Sequence, residues 1–270
     1  MRYNPATDRY EAVSWDKAFA FIAAKLNALA SPDEAIFYTS GGTSNEAAFL
    51  YQLFVRQFGT NNFPDCSNMC HEPSGVALGE QIGVGKGTVT LHDFEQADLI
   101  LVFGQNPGTN HPRMLGELRR AVQRGARVLA FNPLRERGLE RFADPQDALE
   151  MLHNGSERIA SEDYQLRIGG DLAAVAGMIK HVLERDTEER AASRAPLLDD
   201  AFIAEHTDGF AAFRTGIEAL HWHDLEAQSG LSEARLRDAG KRYLHAERAI
   251  ICWGMGITQH RRSVATIQML

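Results

Sequence analysis

A cysteine and a histidine stand side by side in the segment Ser67–Gly75, where a thiol and an imidazole could do redox chemistry together. A thiolate is a soft ligand that suits a redox-active metal, and an imidazole can move a proton at neutral pH. Cys70 and His71 are therefore candidate catalytic residues, and Cys70 is a candidate metal ligand. The alternative for a lone cysteine is a small buried hydrophobic side chain. Cys66 and Cys70 form a C-x3-C pair, which offers too few thiols for an iron–sulfur cluster.

Glycines and amide side chains follow several of the predicted strands. Gly104 lets the backbone approach a ligand, and the amide of Asn106 can both donate and accept hydrogen bonds. Asn132 follows a further strand and could bind a polar ring edge, and Gln259 follows the last strand with a bidentate amide. The alternatives are ordinary turns: a capped loop at Asn106, an Asx turn at Asn132 and a helix N-cap at Asp171.

The elements that position these residues alternate between helix and strand. Apolar residues at helical spacing predict helices over 15–30, 45–58, 112–123, 171–184, 202–206, 209–220 and 232–245. Short apolar runs predict strands over 34–39, 97–103, 126–131, 163–168 and 248–253. This order predicts an α/β fold, a doubly wound, mostly parallel sheet flanked by helices. Ligands of such sheets bind at the carboxyl ends of the strands, where we expect Cys70 to face the crevice.

Three regions are predicted along the chain. Residues 1–34 form a lead-in helix region without a preceding element, residues 35–185 a first α/β cofactor-binding region with the Cys70 loop, and residues 186–270 a helical connection with a returning α/β segment. Residues 144–161 predict an inserted loop or short helix. Neither end carries a clear stop signal, so we expect a fragment of a larger multi-domain enzyme. Residues 83–88 are a loop and not a P-loop, because Lys86 precedes glycine instead of Ser or Thr.

Composition excludes several classes of protein. The net charge of −8 argues against a nucleic-acid binder, which needs a basic face. The three cysteines form no even disulfide framework, so a reducing, cytoplasmic location is expected. The sequence contains no apolar run long enough for a membrane segment and no visible export signal.

Five segments carry a specific resemblance to a known family: SNMCHEPSG (67–75), DFEQADLILVFGQNP (93–107), FNPLRER (131–137), AFIAEHTDGF (201–210) and WGMGITQ (253–259). With their spacing they resemble the molybdopterin oxidoreductases, in the branch of formate dehydrogenase alpha-subunit-like proteins. The resemblance implies that Cys70 ligates molybdenum or tungsten beside His71. It also implies that the metal is otherwise held by the dithiolenes of two pterin guanine dinucleotides, the bis-molybdopterin guanine dinucleotide cofactor.

The same resemblance implies which residues contact the cofactor. They are Ser40, Gly41, Gly42, Gly104, Asn106, Pro107, Thr109, Asn132, Gly169, Asp171, Met255 and Gln259. The reaction implied is the two-electron oxidation of formate to carbon dioxide, with Mo(VI) falling to Mo(IV) and His71 accepting the formate proton or hydride equivalent. A [4Fe–4S] cluster is not supported by these residues. The partners expected are a small-molecule substrate, formate or similar, and a redox partner whose identity the sequence does not give.

One departure keeps other functions open. Formate dehydrogenases typically show Asp-Pro-Arg where this chain has Asn132-Pro133-Leu134, which removes a carboxylate acceptor for guanine N–H groups. The alternatives are another oxidoreductase on the same cofactor, acting for example on an oxyanion, and a non-catalytic cofactor-binding module. We expect residues 1–270 alone to have little or no activity.

Overall fold

The computed structural model describes residues 1–39, 42–64, 66–146, 148–153 and 155–270. The chain divides into two compact units, residues 1–69 and 70–270. The elements of the first unit are strands β1 (Arg2–Asn4) and β2 (Arg9–Glu11), helix α1 (Trp15–Asn27), a 3-10 helix (Pro32–Glu34) and helix α2 (Asn45–Phe58). Helix α3 (Cys66–Ile82) contains the last residues of this unit and the first of the next. The region boundaries expected after residues 34 and 185 stay predictions.

Two expectations for the first unit are wrong. The chain does not begin without an element, because β1 and β2 pair as an antiparallel hairpin. No strand forms over residues 34–39. Phe37 is instead held by the hydrogen bond from its N–H to the Asn62 carbonyl (3.0 Å) and by edge contacts with the rings of Tyr51 and Phe54. Aromatic packing on α2 therefore orders this apolar segment without a strand partner among the described residues.

The second unit is built on a four-stranded parallel sheet in the order β5-β4-β3-β6. Its strands are β3 (Leu99–Phe103), β4 (Arg127–Phe131), β5 (Glu162–Tyr164) and β6 (Ala249–Trp253). Its helices after α3 are α4 (Leu91–Gln96), α5 (Pro107–Asn110), α6 (Pro112–Gln123), α7 (Arg137–Glu140), α8 (Ala148–Leu152), α9 (Asp171–Ala191), α10 (Asp200–His206), α11 (Phe210–Glu218), α12 (Trp222–Ser229), α13 (Glu233–Leu244), α14 (Met255–Thr258) and α15 (Ser263–Met269). The predicted fold class, a parallel α/β sheet flanked by helices, is confirmed.

Helices cover both faces of this sheet because the side chains of β3 alternate between two buried clusters. Leu99, Leu101 and Phe103 pack with α9, α12 and α13, whereas Ile100 and Val102 pack with α4 and α6. All five residues of β3 are buried. A strand buried on both faces reads as a continuous apolar run, which is why the sequence predicts it well.

An aromatic ladder crosses three strands close to their carboxyl ends. The rings of Phe103 and Phe131 stack with centroids 4.2 Å apart, and those of Phe131 and Tyr164 with centroids 4.6 Å apart. All three side chains are fully buried. The ladder gives the turns that follow these strands a rigid support.

Other differences from the sequence prediction have local causes. Strand β5 stops at Tyr164 because the chain turns towards α12, where the Arg167 N–H donates to the Ser229 carbonyl (2.8 Å). Helix α9 continues to Ala191, beyond the predicted end at Glu184. Helices α4 and α12 were not predicted, since each is short and lacks a long apolar period.

Candidate functional site

The turns that follow all four parallel strands lie along one edge of the sheet and carry most of the predicted site residues. Gly104, Asn106, Pro107 and Thr109 follow β3, Asn132 follows β4, Gly169 and Asp171 follow β5, and Met255 and Gln259 follow β6. Parallel strands bring their carboxyl ends to the same edge, which is where such sheets bind ligands. The structure therefore places these residues, far apart in sequence, on a common edge.

The turns after β3 and β6 are in backbone contact. The Gly256 N–H donates to the Gly104 carbonyl (2.9 Å), and a Cβ at Gly104 would lie 2.8 Å from the Gly256 Cα. Gly104 also has a φ of +53°, which disfavours other residues. Gly104, which the sequence analysis predicts to let the backbone approach a ligand, is thus required for close packing against the neighbouring turn.

A carboxylate joins the turns after β3 and β4. Glu136 accepts hydrogen bonds from Asn106 Nδ2 (2.6 Å) and from Asn132 Nδ2 (2.7 Å). Asn106 also caps α5, because its Oδ1 accepts the Thr109 N–H (3.2 Å). Arg135 beside it is exposed, whereas Glu136 is half-exposed and accepts hydrogen bonds from two candidate site residues.

A cavity of about 170 Å³ lies between the turn after β5 and helices α14 and α15. Gly169, Asp171, His260, Arg261 and Arg262 contribute to its lining. Asp171 is 5% exposed, and burial raises the pKa of its carboxyl group to about 6, although its own backbone N–H and His260 both act to lower the pKa. A buried carboxyl group that has lost its hydration is a candidate acceptor for the N–H groups of a ligand.

Cys70 and His71 lie near the start of α3, at a kink where His71 has φ −134° and ψ 15°. Cys70 is half-buried and His71 is exposed. Pro73 lies inside α3 and not in a turn. The kink places Pro73 in the first turn of the following helical segment, where its missing N–H removes no helical hydrogen bond.

Helix α3 is fastened to the carboxyl end of β6. The Trp253 Nε1–H donates to Ser74 Oγ (2.9 Å), and His71 Nδ1 lies 3.4 Å from the same oxygen. Ser74 follows Cys70 in the same helix, on the other side of the kink, and Trp253 directly precedes Gly254. Ser74 and Trp253 therefore connect the candidate catalytic residues to the edge that carries the other turns.

Three predicted cofactor contacts, Ser40, Gly41 and Gly42, stay predictions. Ser40 and Gly41 lie outside the described residues, and Gly42 belongs to the unit formed by residues 1–69. Within the described ranges, no group of three or more His, Cys, Asp or Glu side chains could hold a metal ion. Nor does any helix of the described parts combine the length and apolarity needed to cross a membrane.

A cavity of about 440 Å³ lies at the opposite edge, near the amino ends of β3 and β4. Its charged lining residues are Asp98, Arg127, Asp238, Lys241 and Arg242. Several of these charges already have partners: Asp98 accepts two backbone N–H groups, and Asp238 accepts from Arg242 Nε (2.9 Å). Its larger volume does not make it the candidate site, because the turns with unsatisfied groups lie at the carboxyl edge.

Buried polar atoms at the carboxyl edge test whether it fits a large cofactor rich in N–H and O–H groups. Among the described residues, Gln105 Oε1 and Thr258 Oγ1 are buried without a hydrogen-bond partner. An unsatisfied buried acceptor costs about 1–3 kcal/mol, which a ligand donor would offset. Together with the desolvated carboxylate of Asp171, these acceptors suit a nucleotide cofactor, so the residues present fit such a group.

Comparison with known proteins shows which family this chain resembles. The molybdopterin oxidoreductase family model matches residues 2–270. Protein YdeP of Escherichia coli is 53% identical over all of this chain and 36% of its own length, and formate dehydrogenase H of Escherichia coli is 31% identical over 97% of this chain and 33% of its own length. In fold, acetylene hydratase from Pelobacter acetylenicus is similar, with a TM-score of 0.65 at 20% identity, over 97% of this chain and 32% of that one.

The chain spans about a third of the length of these relatives. The match nevertheless covers both compact units, from the hairpin to the last helix. It includes every turn of the carboxyl edge and helix α3. The chain therefore belongs to the molybdopterin oxidoreductase family.

Proposed function

We propose that this chain forms part of the cofactor-binding region of a molybdenum- or tungsten-dependent oxidoreductase that carries a bis-pterin guanine dinucleotide and oxidises formate to carbon dioxide. Formate dehydrogenase H, at 31% identity, supports the choice of substrate. The observation that carries the proposal is the connection of α3 to the strand ends through Ser74 and Trp253. It holds a thiol and an imidazole beside the edge with unsatisfied acceptors.

The residues divide into metal ligation and cofactor binding. Cys70 would bind the metal as a thiolate, and the pterin dithiolenes would complete its coordination. Asp171 would accept N–H or O–H groups of the cofactor, which replace the hydration that its carboxylate has lost. Gln105 and Thr258 would accept from further N–H or O–H groups of the cofactor. When bound, this group supplies a metal that can take up two electrons.

His71 would accept the proton that the reaction releases. Formate oxidation releases carbon dioxide, one proton and two electrons, so a proton acceptor is needed beside the metal. If His71 Nδ1–H donates to Ser74 Oγ, the lone pair of Nε2 is left to take that proton. The Trp253 N–H holds Ser74 Oγ in position beside the imidazole.

The test uses the full-length protein purified with its native cofactor. Metal analysis, release of guanine nucleotide by mild acid hydrolysis, and formate-dependent dye reduction measure the three parts of the proposal separately. We expect molybdenum or tungsten, two guanine nucleotides for each metal atom, and dye reduction with formate. Cys70→Ser is expected to lose the metal–thiolate signal in X-ray absorption and nearly all turnover.

Cys252→Ser is the matched control. Cys252 lies in β6, where burial raises the pKa of its thiol to about 11, so this sulfur is protonated at neutral pH. The control should keep both metal and turnover. A Cys70→Ser protein with normal metal content and full activity would contradict the assignment.

A different substrate on the same cofactor is also a candidate, because this chain is more similar in sequence to another relative than to formate dehydrogenase H. Protein YdeP is 53% identical to this chain, well above the 31% of formate dehydrogenase H. A metal-loaded protein that contains guanine nucleotide but reduces no dye with formate would favour this candidate. The expected cytoplasmic location and the inactivity of residues 1–270 alone stay predictions.

A further inference from the structure

Glu136 belongs to a hydrogen-bond network in which the donor and the acceptor of each bond are identified. Asn132 Nδ2 donates both of its hydrogens, one to Glu136 Oε1 (2.7 Å) and one to the Leu134 carbonyl (2.9 Å). Its Oδ1 takes part in no hydrogen bond within the described parts of the chain. The free capacity of Asn132 is therefore that of an acceptor alone.

The same carboxylate fixes the amide of Asn106. Its Nδ2 donates to Glu136 Oε2 (2.6 Å), and its Oδ1 accepts the Thr109 N–H, so rotation of this amide would break both bonds. Gly108 and Gly138 hold the two turns together from another direction, since a Cβ at Gly138 would lie 2.9 Å from the Gly108 Cα. The carboxylate of Glu136 thus lies between two turns whose backbones are closely packed.

We propose that Glu136 is a positioning residue that orients Asn132, a predicted cofactor contact, so that the end of β4 presents only acceptors to a guanine base of the cofactor. The inference rests on the proposed function for the identity of the ligand. A carboxylate has about four lone-pair positions, and only two are used here. Asn132 Oδ1 and the free positions of Glu136 form an acceptor pair that matches the N1–H and 2-amino donors of guanine. Adenine presents an acceptor at N1 and would be rejected.

The residue type at position 132 explains why a carboxylate is required beside it. Asparagine could present either its oxygen or its NH₂ group to a ligand, because the two ends of the amide have similar shape. An anionic acceptor beside Nδ2 removes this ambiguity, since only the NH₂ group can face it. Glu136 therefore supplies the negative charge that Asn132 itself lacks.

The test measures base preference in the full-length protein prepared without cofactor. GDP and ADP are the probes, and their dissociation constants are compared in wild type, Glu136→Gln and the control Glu140→Gln. Glu140 lies on the short helix α7 and is half-exposed, so its change removes the same charge without touching either asparagine. We expect wild type and the control to prefer GDP by about tenfold, the effect of one mismatched hydrogen bond, and Glu136→Gln to show almost no preference.

A double variant separates positioning from general damage. When Asn132→Asp is combined with Glu136→Gln, the side chain at position 132 can only accept, and the amide introduced at position 136 supplies a donor to face it. We expect this pair to regain a preference for GDP even if its melting temperature stays low. A ratio of the two dissociation constants does not depend on the fraction of folded protein, so instability alone cannot imitate the result.

Two further nucleotides identify the group that is bound. IDP lacks the 2-amino group and should bind less tightly than GDP to wild type but equally to Glu136→Gln. If 2′-deoxy-GDP loses affinity while IDP does not, the acceptor contacts ribose and the base assignment is overturned. An unchanged GDP preference in Glu136→Gln, or no preference in wild type, also overturns the inference. Guanine nucleotide and metal in the native holoenzyme would then still uphold the proposed function.

Discussion

Asp171→Asn should make the folded chain more stable at neutral pH although it removes a candidate cofactor contact. The carboxyl group is 5% exposed, and burial raises its pKa from the ordinary 3.8 to about 6. Between these pH values the folded chain binds more protons than the unfolded chain, so the free energy of unfolding falls as pH rises. One pKa unit corresponds to about 1.4 kcal/mol, and the full penalty above pH 6 is therefore about 3 kcal/mol.

An asparagine of nearly equal shape carries no charge and escapes this penalty. The gain in the free energy of unfolding should reach about 3 kcal/mol at pH 8. It should be about half as large at about pH 5, because the folded carboxyl group is still mostly protonated there while the unfolded one is mostly ionised. Well below the ordinary pKa of 3.8 both proteins carry a neutral group, and the difference should vanish.

Urea denaturation followed by tryptophan fluorescence measures this gain in the unit that contains Asp171. A Trp15→Phe background leaves Trp222 and Trp253 as the reporters, both within residues 70–270. Asp224→Asn is the control, because Asp224 also lies in the first turn of a helix but is exposed. A gain below about 1 kcal/mol at about pH 8, or an equal gain at about pH 5 and pH 8, would refute the reasoning.

Three other predictions concern stability. Gly104→Ala should destabilise the chain by about 1–3 kcal/mol in urea denaturation, because the new Cβ would clash with the neighbouring turn and because Gly104 has a φ of +53°. The control Gly87→Ala should be nearly neutral, since there is open space around Gly87. His181→Gln should flatten the pH dependence of thermal unfolding below about pH 6.5, since burial first and then Arg237 lower the pKa of His181 in the folded chain, and the stability that the neutral imidazole contributes is lost as pH falls below that value. Asp186→Ala should cost about 1–3 kcal/mol in urea denaturation, because the N–H groups of Leu197 and Leu198 would lose their acceptor while Arg190 keeps its ion pair with Asp200; a cost near zero would contradict this reasoning.

Much of the fold could be predicted from sequence because the central elements carry strong periodic signals. Strand β3 is a continuous apolar run, and helix α6 begins and ends at the predicted residues, Pro112 and Gln123. Prediction fails where tertiary contacts decide the backbone. The apolar segment around Phe37 has the pattern of a strand, yet it pairs with no strand among the described residues and packs against aromatic side chains of α2.

The candidate site could be predicted as a set of turns but not as a network. Asn106 and Asn132 attract notice because each follows an apolar strand and carries an amide. Nothing in the sequence indicates that Glu136 joins them, since a glutamate between arginines has the pattern of a solvated surface. The contact between Asn106 and Glu136 spans 30 positions of the chain and depends on the return of β4 beside β3.

The position of the candidate catalytic pair shows why its supporting residues were missed. Cys70 and His71 stand out by type, whereas Ser74 and Trp253 are ordinary residues 179 positions apart. The hydrogen bond between them exists only because α3 passes over the end of β6. A thiolate that binds a metal must be held within a fraction of an ångström, and a helix kinked at His71 cannot supply such precision alone. The indole of Trp253 supports that helix from the rigid end of a buried strand. One of the two residues that hold Cys70 and His71 in place therefore lies in the sheet and not in the segment 67–75.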